Sequence, residues 1–295
     1  MRNLVAKAKG KRQKAKLLFL PVTFCLFTYA ASAQRIAVLA PDKAEASRDI
    51  ATKLENSLAE KMSIQDSSLA QTAFKAAAPE NPFNLTKDQS KAIGAAIGCE
   101  YFVLVRAATL RRSSSVRSEY YEASAAIFVA SSRSGRLVEW KLLRFEASKP
   151  ERAVKMLAAS VAPFARKLAA ELKDITKVEL AEATPAEMEE VPDDGSAASK
   201  NFRAPIPYRR VKPQYTADAS LYDVTATVDI VIDLNGAGEI LRTEIVRWAG
   251  FGLDASVEAT VRAMNWRPAE RNGKPLPMRF LVRYNFKKVE KQEAN

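Results

Sequence analysis

Apolar and polar residues alternate with a period of two in the C-terminal third of the chain. From residue 222 to residue 234 the even positions are apolar and the odd positions are mostly polar, which predicts a strand with one buried face. Asn235-Gly236 then predicts a tight hairpin with positive backbone dihedrals. A second strand, a short helix that stops at Pro268 and a last alternating strand from residue 278 to residue 286 follow. We therefore predict a three-stranded antiparallel sheet with one helix across it.

Residues 35–175 mix strand and helix patterns instead. Residues 36–39 form a short apolar run, and apolar residues at four-residue spacing then predict a helix. Thr86 and Gln89 have the spacing of a capping box at the start of a later helix. Two longer strands and a final helix beginning at Pro150 complete the order. This order predicts an α/β sandwich with a small mixed sheet, so that the whole chain has an α+β fold.

The region between these two patterns is acidic and has little apolar periodicity. Residues 176–204 hold seven carboxylates together with Pro185, Pro192 and Gly195. Such a composition predicts a flexible linker. The predicted organisation is therefore a leader over residues 1–33, a first domain over residues 35–175, an acidic linker over residues 176–204 and a second domain over residues 205–288.

The N-terminus has the pattern of a secretory signal. Seven basic residues precede an apolar run over residues 17–31, and Ala31-Ser32-Ala33 has the small-x-small form of a cleavage site. We predict cleavage between Ala33 and Gln34, which places the mature protein in the periplasm. The alternative is an uncleaved anchor in the inner membrane formed by residues 17–33, although this run is short for a span and Pro21 interrupts it.

Composition narrows the chemistry. The leader carries seven positive charges, so that removing it lowers the formal charge from +12 to +5 and removes the reason to expect nucleic-acid binding. The chain has no histidine, and Cys99 is the one cysteine outside the leader, so we predict no metal, no cofactor and no histidine-based catalysis. A carboxylate-dependent periplasmic hydrolase using Glu119, Glu122 and Glu139 is the remaining enzyme hypothesis, and we expect these three side chains to face solvent.

The second domain contains a set of short sequence motifs in a defined order. The set comprises Pro213-Gln214-Tyr215, the strand and hairpin of residues 228–236, Gly252-Leu253-Asp254, Trp266-Arg267-Pro268-Ala269, Asn272-Gly273-Lys274-Pro275 and Tyr284-Asn285-Phe286. In this order they resemble the TonB C-terminal domain family. In the first domain, residues 36–41 and 97–105 resemble periplasmic domains of the CsgG, TolB N-terminal and LpoB type.

The TonB resemblance implies a non-enzymatic interaction module. In that family an extended peptide from an outer-membrane receptor adds as a strand beside the sheet. The resemblance thus implies an envelope protein or a receptor peptide as the partner. The candidate contact residues carried over by position are Arg210, Val211, Lys212, Pro213, Gln214, Tyr215, Phe280, Val282, Arg283, Tyr284 and Phe286.

Two departures separate this chain from the energy-coupling members of that family. Those members keep a membrane anchor that bears a histidine, and they carry a long spacer. Here histidine is absent, and the linker of about 29 residues would reach roughly 30 Å as a flexible coil. The leading interpretation is an exported envelope protein that binds its partner by strand addition. The alternative is an inner-membrane-anchored transducer that serves transport through outer-membrane receptors.

Overall fold

The computed structural model describes residues 34–183 and 186–288. The predicted signal sequence, its apolar run and Ala33 lie outside the described residues. Among the described residues, no helix is both long enough and apolar enough to cross a membrane.

The first region is built on a five-stranded mixed sheet. In spatial order the strands are β2-β1-β3-β4-β5, with β1 parallel to both β2 and β3 and with antiparallel pairing from β3 to β5. The strand bounds are β1 Arg35–Leu39, β2 Ser63–Ile64, β3 Tyr101–Arg112, β4 Tyr120–Ser131 and β5 Leu137–Ala147.

Four helices cover the two faces of this sheet. Their bounds are α1 Glu45–Leu58, α2 Ser67–Ala77, α3 Lys87–Ile97 and α4 Pro150–Ala181. Helices α1 and α4 share a core with one face, which includes Val103 and Ile127, and α2 and α3 share a core with the other face, which includes Phe102 and Phe128. The capping box that Thr86 and Gln89 predict is present at the start of α3.

The second region contains a three-stranded antiparallel sheet in the order β13-β8-β9, crossed by helix α6. This arrangement and the mixed sheet of the first region confirm the predicted α+β fold. The bounds are β6 Phe202–Arg203, β7 Ile206–Pro207, α5 Ala217–Leu221, β8 Ala226–Leu234, β9 Ile240–Arg247, α6 Leu253–Ala263, β10 Trp266–Arg267, β11 Ala269–Arg271, β12 Lys274–Leu276 and β13 Met278–Phe286, with one 3₁₀ turn at Ala197–Ser199.

The turn between β8 and β9 differs from the predicted tight hairpin. The positive φ, +84°, is at Gly238 and not at Asn235-Gly236. The side chain of Asn235 accepts hydrogen bonds from the backbone N–H groups of Ala237 and Glu239, at 2.9 Å each. This side-chain bonding widens the turn, and a Cβ at Gly238 would lie 2.2 Å from the carbonyl oxygen of Trp266.

The acidic segment is more structured than a flexible spacer. Helix α4 continues through Ala181, so that residues 176–181 are helical and not linker. The hydroxyl groups of Ser131 and Ser134 donate to Glu179, and Arg136 pairs with Glu182, so the turn between β4 and β5 holds this extension. Farther along, β6 lies inside the segment that we predicted as linker, and it pairs with β11 of the second region.

The two regions pack against each other through one continuous hydrophobic core. Phe128 of β4 lies 5.9 Å from Trp248 and 5.9 Å from Phe251, measured between ring centroids. Buried Asn84 donates to the carbonyl oxygens of Thr227 and Trp248, at 2.7 Å each, and accepts from the Thr227 N–H at 2.9 Å. The described residues therefore form one compact unit.

Candidate binding edge

Strand β13 is an edge of the C-terminal sheet, and its pairing with β8 is regular. Nine residue pairs run without a register shift from Met278 opposite Leu234 to Phe286 opposite Ala226. The side chains of Phe280, Val282 and Tyr284 are packed against the core. These three predicted contact residues are half-buried and hold the strand in place with their side chains, whereas the side chains of Leu281, Arg283 and Asn285 are exposed.

The outer side of β13 carries unpaired backbone groups. Arg279 donates its backbone N–H to the carbonyl oxygen of Glu189 at 2.8 Å, so this residue points its polar backbone away from β8. Because successive residues of a strand alternate in direction, Leu281, Arg283 and Asn285 point theirs the same way. Within residues 34–183 and 186–288, no backbone group bonds to the outward N–H and C=O groups of Leu281, Arg283 and Asn285.

Paired arginines and aspartates fix β13 to β8 across the open face of the sheet. Arg279 bonds to both oxygens of Asp233 at 2.7 and 2.8 Å. Arg283 bonds to both oxygens of Asp229 at 2.7 and 2.9 Å, and Arg247 reaches Asp229 from β9 at 3.0 Å. Both aspartates are buried. The predicted contact residue Arg283 therefore has its guanidinium group engaged within the domain.

The electrostatics of Asp229 follow from this pairing. Burial raises the pKa of a carboxyl group, but the hydrogen bonds from Arg283 and Arg247 outweigh burial here and hold the pKa of Asp229 below its ordinary value. The sequence analysis missed Asp229 and Asp233 as positioning residues. The available signal was that both lie on the polar face of β8, opposite the arginines of an alternating strand.

The segment 210–215 lies next to the C-terminal end of β13. The Tyr215 ring stacks on Phe286 at 6.3 Å between centroids, and its hydroxyl oxygen lies 3.0 Å from the Ala219 carbonyl oxygen and 2.9 Å from that of Val224. Burial raises the pKa of Tyr284, and the positive charge of Arg210 partly offsets that rise. The structure thus brings the two predicted contact segments together.

Within this segment the side chains divide into anchored and exposed ones. Tyr215 is anchored, and the Gln214 carbonyl oxygen accepts a hydrogen bond from the Ser256 hydroxyl at 2.9 Å. The Gln214 side chain is exposed, and Pro213 is half-buried. The remaining members, Arg210, Val211 and Lys212, are exposed. With Arg209, Lys287 and Lys288 nearby in sequence, the surroundings of this end of β13 are basic.

Strand β9 is the other edge of the same sheet, and it is irregular and partly covered. Its pairing with β8 shifts register twice, leaving Leu241 and Val246 without direct partners. Thr86 forms an antiparallel bridge with Arg247, and Lys87 pairs with Glu244. Bulges and covering segments are common ways in which proteins block the edge of a sheet. The first region therefore contacts the C-terminal half of β9, whereas the outward backbone groups of β13 beyond Arg279 are open.

The carboxylates of the enzyme hypothesis do not form a pair. Glu122 is buried, contrary to the prediction, and it bonds to Arg112 at 3.1 Å and to the Tyr222 hydroxyl at 3.0 Å. Glu139 lies opposite Val129, seven residues or about 23 Å along β4 from Glu122 and on the other face of the sheet. Glu119 is exposed and pairs with Arg111. Glu122 has a structural role between the two regions, which explains its burial.

Metal-ligand and thiol chemistry have little support in the described part of the chain. No group of three or more Cys, Asp or Glu side chains there is arranged to hold a metal ion. Cys99 is buried, and burial raises the pKa of its thiol to about 11. A thiol with so high a pKa is a poor nucleophile near neutral pH.

Comparison with known proteins concerns mainly the second region. Residues 211–287 match the family model described as the C-terminal domain of the Gram-negative bacterial TonB protein. The solution structure of the Pseudomonas aeruginosa TonB C-terminal domain is 17% identical, covers 37% of this chain and 100% of that one, and has a TM-score of 0.27. Lipoprotein GNA1162 from Neisseria meningitidis is 12% identical, covers 45% of this chain and 99% of that one, and has a TM-score of 0.33.

Structural scores this low support no inference about function. A comparison with curated proteins finds no match. The family assignment therefore rests on the sequence match over residues 211–287.

Proposed function

Residues 211–287 belong to the TonB C-terminal domain family, and we propose that the chain is a bacterial envelope protein that binds an extended segment of a partner protein along β13. The bound segment adds to the sheet as a fourth strand. The domain acts in this proposal as an interaction module and performs no reaction. The partner is an envelope protein or a peptide segment of an outer-membrane receptor.

The observation that carries the proposal is the regular, open edge of β13. Strand addition obtains its affinity from main-chain hydrogen bonds, and it needs consecutive outward N–H and C=O groups. Leu281, Arg283 and Asn285 supply three such residues, and Leu281 is 51% exposed. The arginine–aspartate pairs hold these backbone groups in an extended line, so that little ordering is required when a partner strand arrives.

The segment 210–215 contacts the C-terminal end of β13 through Tyr215, and its exposed side chains give this end of the edge a chemical preference. Arg210 and Lys212 are positively charged, and Gln214 offers an amide. A partner strand with acidic or polar residues at its flank suits these groups electrostatically. We therefore assign partner contact to Arg210, Val211, Lys212 and Gln214, and we assign a supporting role to Pro213 and Tyr215.

The proposed location is the periplasm, with residues 1–33 removed during export. N-terminal sequencing of the protein purified from the envelope fraction tests this assignment. A mature chain that begins at Gln34 supports the exported form. A chain that retains residues 17–33 and sediments with the inner membrane supports the anchored transducer instead.

Site-specific photo-crosslinking tests the strand-addition proposal. We expect p-benzoylphenylalanine at position 281 to crosslink one discrete envelope partner in intact cells. The matched control places the same group at Leu241, which is 59% exposed on the opposite edge strand. Crosslinking of the same partner with equal yield from position 241, or no crosslink from position 281, would refute docking along β13.

A further inference from the structure

The acidic segment that follows α4 forms a short parallel pairing with β13. Glu190 and Arg279 form a parallel bridge. Arg279 donates its N–H to the Glu189 carbonyl oxygen at 2.8 Å, and Val191 donates its N–H to the Arg279 carbonyl oxygen at 3.2 Å. Residues 189–191 thus take both outward backbone groups of Arg279, the first outward-facing residue of the strand.

Charged side chains support this backbone pairing. Both oxygens of Glu189 accept hydrogen bonds from the guanidinium group of Arg271. Glu190 adds a favourable charge near Arg279, whose guanidinium group is already bonded to Asp233. The pairing therefore combines main-chain bonds with acidic side chains that face arginines.

We propose that residues 189–191 are an internal ligand of the β13 edge, which an incoming partner strand displaces in order to pair along the whole strand. This inference rests on the proposed function, because it concerns competition for the same backbone groups. A strand that reaches Arg279 cannot form its two bonds while Glu189 and Val191 hold them. The internal ligand thus reduces the affinity for any partner long enough to span β13.

The pairing of residues 189–191 with Arg279 has the features of a contact that can open and close. The side chains of Arg271 and Glu189 are 32% and 45% exposed, so water and salt weaken their attraction. Only one residue of β13 is taken, and three outward residues remain open. The covalent connection nevertheless holds the segment near the edge at an effective concentration on the order of millimolar. A partner can therefore begin at Leu281 and then replace the internal segment at Arg279.

A peptide that copies the internal segment provides a defined probe. The labelled peptide Ala-Glu-Met-Glu-Glu-Val-Pro-Asp-Asp, with the sequence of residues 186–194, is titrated into the chain that begins at Gln34. We expect Glu189→Gln in the protein to release the internal segment and to raise the affinity for the peptide about three- to tenfold. The amide of Arg279 should exchange its hydrogen faster in this variant than in the parent when no peptide is present.

Glu187→Gln is the matched control. It removes the same charge from the same segment, and no ion pair of Glu187 is present among the described residues. We expect Glu187→Gln to bind the peptide with the same affinity as the parent protein and to exchange the Arg279 amide hydrogen at the same rate. An equal rise in peptide affinity in both variants would show that the effect comes from the net charge of the segment, and it would overturn the proposal. Unchanged affinity in Glu189→Gln, or no peptide binding to either protein, would overturn it as well.

The partner crosslink from position 281 separates this inference from the proposed function. We expect Glu189→Gln to raise the crosslinking yield to the discrete partner, and Glu187→Gln to leave it unchanged. An equal yield in the parent and in Glu189→Gln overturns the competition while strand addition stands. No crosslink in any variant overturns strand addition and, with it, the competition with a partner.

Discussion

The two edges of the C-terminal sheet differ although both belong to the same three-stranded unit. Strand β13 pairs with β8 over nine residues in unbroken register, and its outward groups at Leu281, Arg283 and Asn285 are open. Strand β9 pairs with register shifts at Leu241 and Val246 and is bridged by the first region. A single sheet thus has one edge that is irregular and partly covered and one that is regular and suited to pairing.

This difference gives the first region a structural role. Its loop before α3 provides Asn84, which bonds to the backbone of β8 and to the carbonyl oxygen of Trp248, the residue that follows β9. Its β4 provides Phe128, against which Trp248 and Phe251 pack. The first region therefore completes the core of the second and bridges the C-terminal half of β9, which leaves β13 as the more regular and more open edge of the described sheet.

The largest expected effect comes from breaking the shared core between the two regions, next to the end of β9. Trp248 is fully buried between the two regions, and its indole N–H donates to Ser90 at 3.3 Å. We expect Trp248→Ala to lower the free energy of unfolding by about 3–5 kcal/mol, measured by urea denaturation. Tyr208→Ala, at an exposed aromatic residue, is the control and should change it by less than about 0.5 kcal/mol. Similar effects for both variants would contradict the shared core.

The next effect comes from the polar part of the same interface. Asn84→Ala leaves the Thr227 N–H and two carbonyl groups without their partner in a buried site. We expect a loss of about 2–3 kcal/mol in the free energy of unfolding. Asn81→Ala, in the same loop, removes only a local bond to the Phe83 N–H and should cost less. Equal losses from Asn81→Ala and Asn84→Ala would show that the bonds from Asn84 to Thr227 and Trp248 contribute nothing.

A smaller, pH-dependent effect tests the arginine–aspartate pairs that straighten β13. The pKa of Asp229 is lowered in the folded protein, so its stabilising contribution is present above its unfolded value near 3.8 and is lost as pH falls through the folded value. We expect Asp229→Asn to cost about 1–2 kcal/mol at pH 7 and progressively less below pH ~4. Denaturation at several pH values measures this difference, and a cost that is constant with pH would contradict the pairing.

The smallest effect on stability separates the backbone of β13 from its side chains. The Leu281 N–H points away from β8, so Leu281→Pro removes no bond of the sheet and should cost less than about 1 kcal/mol of stability. Binding of the partner identified by crosslinking should nevertheless fall at least about tenfold, because one main-chain donor is lost and the ring blocks the incoming strand. Leu281→Ser, which keeps the N–H, should retain most of the affinity. Equal losses in the two variants would assign binding to the side chain.

Much of the secondary structure was predictable from local pattern. The alternation that ends at Leu234 and the capping box at Thr86 specify their elements through nearest neighbours, and both are present, although the strand begins at Ala226 and not at residue 222. The form of the turn after Leu234 was not predictable from local pattern. The side chain of Asn235 bonds to two backbone amides, and the positive φ lies at Gly238. Such a choice between turn types depends on contacts with Trp266, which lies far along the chain.

The candidate site was only partly predictable for the same reason. Sequence order indicated β13 and the segment 210–215, but not which backbone groups of β13 face outward. The burial of Glu122 and the pairing of Glu189 with Arg271 join residues about 80 to 100 positions apart. No periodicity within either segment encodes such a contact. The sequence therefore indicated a spacer where the structure has a segment that pairs with the candidate edge.

Residue-resolved amide hydrogen exchange tests the central claim most directly. In the isolated chain that begins at Gln34, we expect the amides of Leu281, Arg283 and Asn285 to exchange rapidly, and those of Phe280, Val282 and Tyr284 to be protected by β8. Addition of the crosslinked partner should then protect the first three as well. Protection of all six amides before any partner is added, or continued rapid exchange of the first three in the complex, would contradict strand addition at β13.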